Sequence, residues 1–462
     1  MRTLIFLVSF LFLQAPELGA QAGSYDKSLK EVLKDIESRY QVELSYSDNL
    51  VKDKIVTHAF WRFREEAEAT LGLVLGPFDL VFYKNDKGIY EISAFQYHRR
   101  PPQEGARHLD RLSALCPDLA SWEKRREELR ACIQEQLNLA PWPEKTPLNP
   151  VCTPRRRHNG YTTENVALET LPGLYLSGTL YRPASGKGPF PAVMVAQGHF
   201  TLQRYGEEPQ ILAATLARMG AVVFSYDMFA MNESLLQFDP ADHRSRAAQV
   251  IQTWNSLRVI DFLSSLKEVD PKRIAMTGAS GGGTQTFLAT ALDPRISVSV
   301  PVVMVSSWFY GGCTCESGMP IHTCGNPGTN NAELAALAAP RPMLLVSIGN
   351  DWTAHVPEIE YPYIRKIYEK YGKADLVRNV HLPDEQHDYG PSKREAVYRF
   401  LAEHLALSLS AVLGPDGRMD ESACTVEAAG EMKVFGASGE KLPQHAIRGL
   451  DALRKKYSFL PE

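Results

Sequence analysis

Residues 276–286 read "MTGASGGGTQT", and place Ser280 among glycines directly after the apolar run "RIAM". Glycine costs backbone entropy inside strands and helices, so the cluster marks a sharp turn or a close approach of chains. "RIAMTG" has strand character and "GGTQTFLATAL" helical character. A strand, a turn and a helix are the context in which Gly278-Ala279-Ser280-Gly281-Gly282 forms a G-x-S-x-G nucleophile elbow. There the serine is held on a strained turn with its hydroxyl exposed, and the N–H of Gly281 is directed at a developing oxyanion.

A serine hydroxyl is a weak nucleophile until a base takes its proton, so an acid and a histidine should follow in the order Ser, Asp/Glu, His. "NDWT" places Asp351 after the strand run "RPMLLVSIG", and "DEQHDYG" places His387 after "LVRNVHLP". Open α/β sheets carry their sites at such carboxyl ends. His381 sits inside the strand run and reads as a packed residue, and His355 follows Asp351 too closely to be its partner. Glu316, in "GCTCES", is the competing acid and enters from the loop after the preceding strand. The second oxyanion donor is expected from backbone near Gly198, His199 and Phe200, after "FPAVMVAQG". Trp308, Phe309 and Tyr310 follow another strand end. They read either as a stacking platform for a sugar or as core aromatics.

These residues need a scaffold, and from Val166 onward the chain alternates strand and helix. The strand runs are "NVALETL", "LYLSGTLYRP", "FPAVMVAQG", "GAVVFSYD", "RIAMTGAS", "ISVSVPVV", "RPMLLVSIG" and "LVRNVHLP". The first two suit an antiparallel hairpin. The later ones are apolar on both faces and separated by helical stretches such as "RAAQVIQTWNSLRVIDFLSSL", as a buried parallel sheet requires. The expected fold is α/β, a doubly wound, mostly parallel sheet over residues 116–460. A helical lead-in, "LDRLSALCPDLASWEKRREELRACIQEQLNL", precedes it, and the polar "FQYHRRPPQEGARH" reads as a linker, within 96–115.

Residues 25–95 read as a small α+β domain. "SLKEVLKDIESRY" places Leu29, Val32, Leu33 and Ile36 on one face behind a Ser28 cap, and "VELSY" and "KIVTHAF" follow as strand runs. "REEAEATLGLVL" is a second helix, ahead of "DLVFYKN" and "GIYEIS", which are joined by a turn over Asn85 to Gly88.

With 50 basic and 54 acidic side chains in 462 residues, a net charge of -4 and no long basic run, the chain has no electrostatic footprint for nucleic acid. Residues 1–22 carry Arg2, an apolar core from Leu4 to Leu13 too short to span a bilayer, and a small-x-small ending at Ala20 and Ala22. They read as a cleaved secretory leader, with no transmembrane segment after it. An exported protein, periplasmic or extracellular, is expected. Cys116, Cys132, Cys152, Cys313, Cys315, Cys324 and Cys424 would then lie where disulfides persist, and their odd count leaves at least one without an intramolecular partner. Cys313, Cys315, His322 and Cys324 also offer zinc ligands. Their spacing is unlike the common zinc modules, and the run reads first as a structural loop, so no metal or organic cofactor is expected.

The stretches "QGHF", "SYDMFAMNES", "GASGGGTQT", "GGCTCES", "TNNAELAALAAPRPMLLVSIGNDWT" and "EQHDYG" resemble the α/β-hydrolase superfamily, within it the bacterial acetyl xylan esterase or dienelactone-hydrolase-like branch. "YDMFAMNES" stands in place of the Gly-rich loop of typical lipases. The resemblance implies Ser280 as nucleophile, His387 as base, Asp351 as orienting acid, and an oxyanion hole around Gly198, His199 and Gly281. Residues 27–93 resemble the short N-terminal domain of secretins and TonB-dependent transporters. That likeness implies a protein-contact module in a Gram-negative-type envelope.

An exported serine esterase acting through an acyl-enzyme is therefore expected. Acetylated xylan, another acylated glycan, a methyl uronate ester and a small plain ester all fit the same residues. A serine peptidase of the prolyl oligopeptidase type shares the residue order, but the segment before Thr153 is too short for that group's β-propeller. The remaining alternative is a non-catalytic scaffold that acts through the N-terminal module.

Overall fold

The computed structural model describes residues 25–85 and 87–462; the leader expected over residues 1–22 lies outside them. Two compact units meet in sequence at Tyr97 and His98.

In the first unit, β1 (Lys27–Ser28) runs into α1 (Leu29–Tyr40). The Ser28 hydroxyl accepts from the Glu31 N–H at 3.2 Å, and the Glu31 carboxylate accepts from the Ser28 N–H at 3.0 Å. This is the reciprocal cap of a Ser-x-x-Glu start. Then come β2 (Leu44–Ser45), α2 (Asp48–Val51), β3 (Ile55–Val56), α3 (Ala67–Leu75), β4 (Leu80–Lys84) and β5 (Tyr90–Ala94). β1 pairs antiparallel with β3, while β5 lies between a parallel β2 and an antiparallel β4. Leu29, Val32, Leu33 and Ile36 pack with Leu71, Val74 and Leu75 in the core.

The second unit opens with α4 (Pro102–Leu115) and α5 (Leu119–Gln136). The linker expected over 96–115 is thus helical from Pro102 onward. Proline at the first turn gives up no hydrogen bond and already has helical φ, so the Pro101-Pro102 pair starts a helix here. Leu109 and Leu112 bury its inner face. The strands are β6 (Val151–Cys152), β7 (Arg156–Arg157), β8 (Tyr161–Leu171), β9 (Leu174–Pro183), β10 (Phe190–Ala196), β11 (Val222–Tyr226), β12 (Val269–Ala279), β13 (Ile296–Val302), β14 (Met343–Ile348) and β15 (Val377–Leu382). They form one ten-stranded sheet in the order β15-β14-β13-β12-β10-β11-β9-β8-β6, with β7 also on β8. β10 to β15 are parallel to their neighbours within that group, and β8 and β9 form the antiparallel hairpin at the start.

The helices of this unit are α6 (Glu207–Arg218), α7 (Ala247–Ser265), α8 (Gly281–Leu292), α9 (Thr314–Ser317), α10 (Asn331–Ala336), α11 (Tyr361–Lys370), α12 (Pro391–Leu405) and α13 (Leu450–Lys456). Successive strand side chains point to opposite faces, so one sheet builds two cores. Met194, Phe224 and Met276 meet Trp254 of α7 and Phe287 of α8 on one side. Val193, Val223 and Ala275 meet Leu212 of α6 and Leu401 of α12 on the other. A disulfide between Cys132 and Cys324 and a buried Arg125–Glu333 pair, at 2.5 and 2.8 Å, tie α5 to the loops before and at α10. Among the described residues no helix is long and apolar enough to cross a membrane.

Candidate active site

The chain departs from β10 to β11 on one side and reaches β12 on the other, so a crevice opens at the carboxyl ends of β10 and β12. Ser280 stands there, between the last residue of β12 and the first of α8, with φ 56° and ψ -123°. A side chain at such φ is strained and persists only where its surroundings impose it. Here the Ser280 N–H donates to the Val302 carbonyl at 3.0 Å, and its own carbonyl accepts from the N–H groups of Gly283 and Thr284 at 2.7 and 3.1 Å. The neighbouring glycines are required by close approach. A Cβ on Gly282 would lie 2.3 Å from the Ala196 carbonyl oxygen, and one on Gly198 would lie 2.4 Å from that of Ala279 and 3.2 Å from the Ser280 Cβ. Among the described residues no acceptor meets the Gly281 N–H, which is the first of α8 and free to serve an oxyanion.

Asp351 follows β14 and His387 follows β15, and the structure brings them together: Asp351 Oδ2 lies 2.6 Å from His387 Nδ1. The other carboxylate oxygen accepts from the Thr353 N–H and hydroxyl at 2.6 and 2.5 Å. Asp351 is thereby held rigidly with its side chain only 4% exposed, while His387 is 29% exposed. An Nδ1–H given to the carboxylate leaves Nε2 as the basic nitrogen. Trp352 packs 4.7 Å from the His387 ring and Phe200 6.0 Å from it, centroid to centroid. Phe200 also reaches Gly198, beside Ser280.

Glu316, the competing acid, lies beside Gly281. Its buried carboxylate accepts from the Cys313 N–H at 3.0 Å, and its Oε1 lies 3.3 Å from where a Cβ on Gly281 would stand. Burial pushes its carboxyl up from the usual range. Of the three aromatics after β13, Trp308 is half-buried and the other two are packed. Phe309 is 5% exposed and Tyr310 1%, because the first packs 4.2 Å from Trp352 and the second stacks 4.0 Å from His322. The ligand set Cys313, Cys315, His322 and Cys324 is also divided. Cys324 is bound to Cys132, and His322 Nε2 lies 2.8 Å from Asn331 Oδ1. His381 pairs with Ser347 Oγ at 2.9 Å inside the sheet.

Sequence reasoning missed the buried ion-pair network that follows the Gly198–Phe200 loop. Arg204, fully buried, reaches Asp227 at 2.7 and 3.1 Å, Glu233 at 2.9 Å, Thr179 Oγ1 at 3.0 Å and the Met432 carbonyl at 2.8 Å. The partners are up to 228 residues away, so no local pattern announces them.

A doubly wound sheet with a strained serine after β12, and an acid and a histidine on later strand ends, defines an α/β-hydrolase. Residues 173–313 match the family model described as glucuronyl esterase, fungi. The solved methylesterase BT1017 is 44% identical, with 94% of this chain and 96% of that chain covered at a TM-score of 0.83. The chain belongs to the family of that methylesterase and is a carboxylic ester hydrolase. Among curated proteins, the 4-O-methyl-glucuronoyl methylesterase of Neurospora crassa is 24% identical over 48% of this chain, which spans 62% of that protein. The thiohydrolase apmlB of Arthrinium phaeospermum is 32% identical over 30% of this chain and 42% of its own length. The motifs alone point to the acetyl xylan esterase branch because the elbow and its loops are common to the superfamily, whereas the family is that of a methylesterase.

Proposed function

We propose that this protein is a serine esterase that removes methyl groups esterified to the carboxyl of a uronic acid in a carbohydrate. The observation that carries the reading is the 44% identity to a methylesterase over almost the whole chain. The glucuronyl esterase match and the fungal methylesterase support a sugar acid as the acyl part. A polar cavity of about 280 Å³, where Arg100, Arg107 and Arg111 outnumber the one carboxylate, Glu104, beside Ser307 and Tyr310, suits an anionic sugar chain.

Ser280 attacks the ester carbonyl while His387 Nε2 takes its proton, and the N–H of Gly281 with backbone of the Gly198–Phe200 loop holds the oxyanion. Collapse expels methanol, which takes the proton back from His387. Water, deprotonated by His387, then attacks the uronoyl ester on Ser280, releasing the uronic acid and restoring the serine. Asp351 holds the imidazole and stabilises its charged form throughout. The leaving group is a single carbon unit, so selectivity rests on the acid side.

We further propose export to the periplasm or beyond in a Gram-negative-type envelope, and a protein-contact role for the first unit. The Cys132–Cys324 disulfide suits an oxidising compartment. Phe60 and Trp61 of the first unit, 73% and 68% exposed, suit contact with a partner.

The test is an oligouronide carrying both methyl esters and O-acetyl groups, with methanol and acetate measured together and a peptide amide alongside. Methanol release without acetate supports the methylesterase reading. Acetate alone returns the acetyl ester to first place, amide cleavage favours the peptidase, and silence on all three favours the scaffold.

A further inference from the structure

Four side chains apart from Ser280, Asp351 and His387 point their donor atoms at one another. His199 Nε2 lies 3.0 Å from His243 Nε2 and 3.2 Å from Cys315 Sγ, and with Cys313 Sγ all four donors fall within 4.8 Å of each other. They arrive from three segments: the loop after β10, the 3-10 helix Pro240–Arg244, and the entry to α9. Around a tetrahedral zinc ion, with bonds of about 2.0 Å to nitrogen and 2.3 Å to sulfur, donors stand roughly 3.3–3.8 Å apart. The two His199 separations, 3.0 and 3.2 Å, are slightly shorter than this, and the 4.8 Å span of the four donors leaves at most about 1 Å for the widest pair to close around an ion. His243 is also oriented for the task. Its Nδ1 lies 2.7 Å from the Phe229 carbonyl oxygen, which holds the proton on Nδ1 and turns the Nε2 lone pair to the cluster. Metal-ligating histidines are fixed in this way.

We propose that His199, His243, Cys313 and Cys315 bind one zinc-type ion in a four-coordinate site. Two thiolates and two imidazoles select a soft or borderline ion over magnesium or calcium. Binding releases two thiol protons to solvent, and no electrons move. With all four positions supplied by the protein, the site is structural, and it joins the loop after β10, the 3-10 helix Pro240–Arg244 and the entry to α9. The His199 ring packs against Gly281, its Nδ1 and Cε1 3.0 Å from where a Cβ would stand, so the ion secures the flank of the oxyanion hole.

The test is the metal content of the full chain, desalted after exposure to zinc. About one zinc per chain is expected, and loss of it in the Cys313→Ser/Cys315→Ser double variant and in His243→Ala. Should these variants unfold, wild-type protein stripped with a chelator and titrated with cobalt(II) decides the matter. Thiolate-to-cobalt charge-transfer bands and the intense visible bands of tetrahedral cobalt support the site. Absence of both zinc and cobalt binding overturns it, as does recovery of Cys313 and Cys315 joined in a disulfide from the native protein. None of these readouts depends on ester hydrolysis.

Discussion

His387 turns its Nδ1 to Asp351 at 2.6 Å, while Glu316 spends its carboxylate on the Cys313 N–H at 3.0 Å. We therefore propose that Asp351, and not Glu316, orients the imidazole. Asp351→Asn should lower kcat by about 10³ to 10⁴, since the imidazole loses both its tautomer and the stabilisation of its charged form. Glu316→Gln keeps an oxygen for the Cys313 N–H and should stay within about tenfold of wild type. Steady-state rates on one methyl uronate ester decide between them. The opposite ranking would make Glu316 the acid.

Gly282 leaves no room for a side chain, because the missing Cβ would press on the Ala196 carbonyl at 2.3 Å. Backbone cannot swing aside as a flexible side chain does. Gly282→Ala should cost about 1–3 kcal/mol of stability, or more, and reduce turnover by moving the elbow. Urea unfolding and kcat together check this, and a wild-type midpoint with wild-type turnover would refute it.

Arg204 neutralises Asp227 and Glu233 with no exposure of its own side chain to solvent. Removing only the cation leaves two buried carboxylates facing each other. Arg204→Ala should lower the unfolding free energy by about 3–5 kcal/mol. A shift below about 1 kcal/mol in urea would show that the network is unimportant.

Burial lowers the pKa of His322 from its usual 6.5 to about 4. The unfolded chain binds a proton there near pH 6.5, and the folded chain does not until about pH 4. The stabilisation is thus full above pH 6.5 and is lost as the pH falls toward 4, by up to about 3 kcal/mol. Urea midpoints at pH 7 and pH 5 should differ more for wild type than for His322→Gln. Equal differences would remove His322 from the acid response.

The parallel sheet was legible because its inner strands are short apolar runs closed by turns, with Arg378, Asn379 and His381 confined to the edge strand β15, and every expected run is a strand from β8 to β15. The sharp turn at Ser280 was legible because its glycines are forced by contact with β10, and the meeting of Asp351 with His387 because both follow strand ends on one edge of the sheet. What stayed hidden depends on distant partners. His199 and Cys315 meet across 116 residues, and Arg204 and Met432 across 228. Phe309 and Tyr310 look alike in sequence whether they face a sugar or Trp352 and His322. At Pro102 the error was local: the same proline that ends one helix begins another.

Hydrolysis of a methyl uronate by Ser280 is measured most directly as methanol release from a methyl-esterified uronic acid oligosaccharide by wild type and Ser280→Ala. Wild type should turn over, and the variant should lose about 10⁴ to 10⁶ of that rate with its fold intact. Methanol release that survives in Ser280→Ala, or none from wild type while another ester is cleaved, would contradict this.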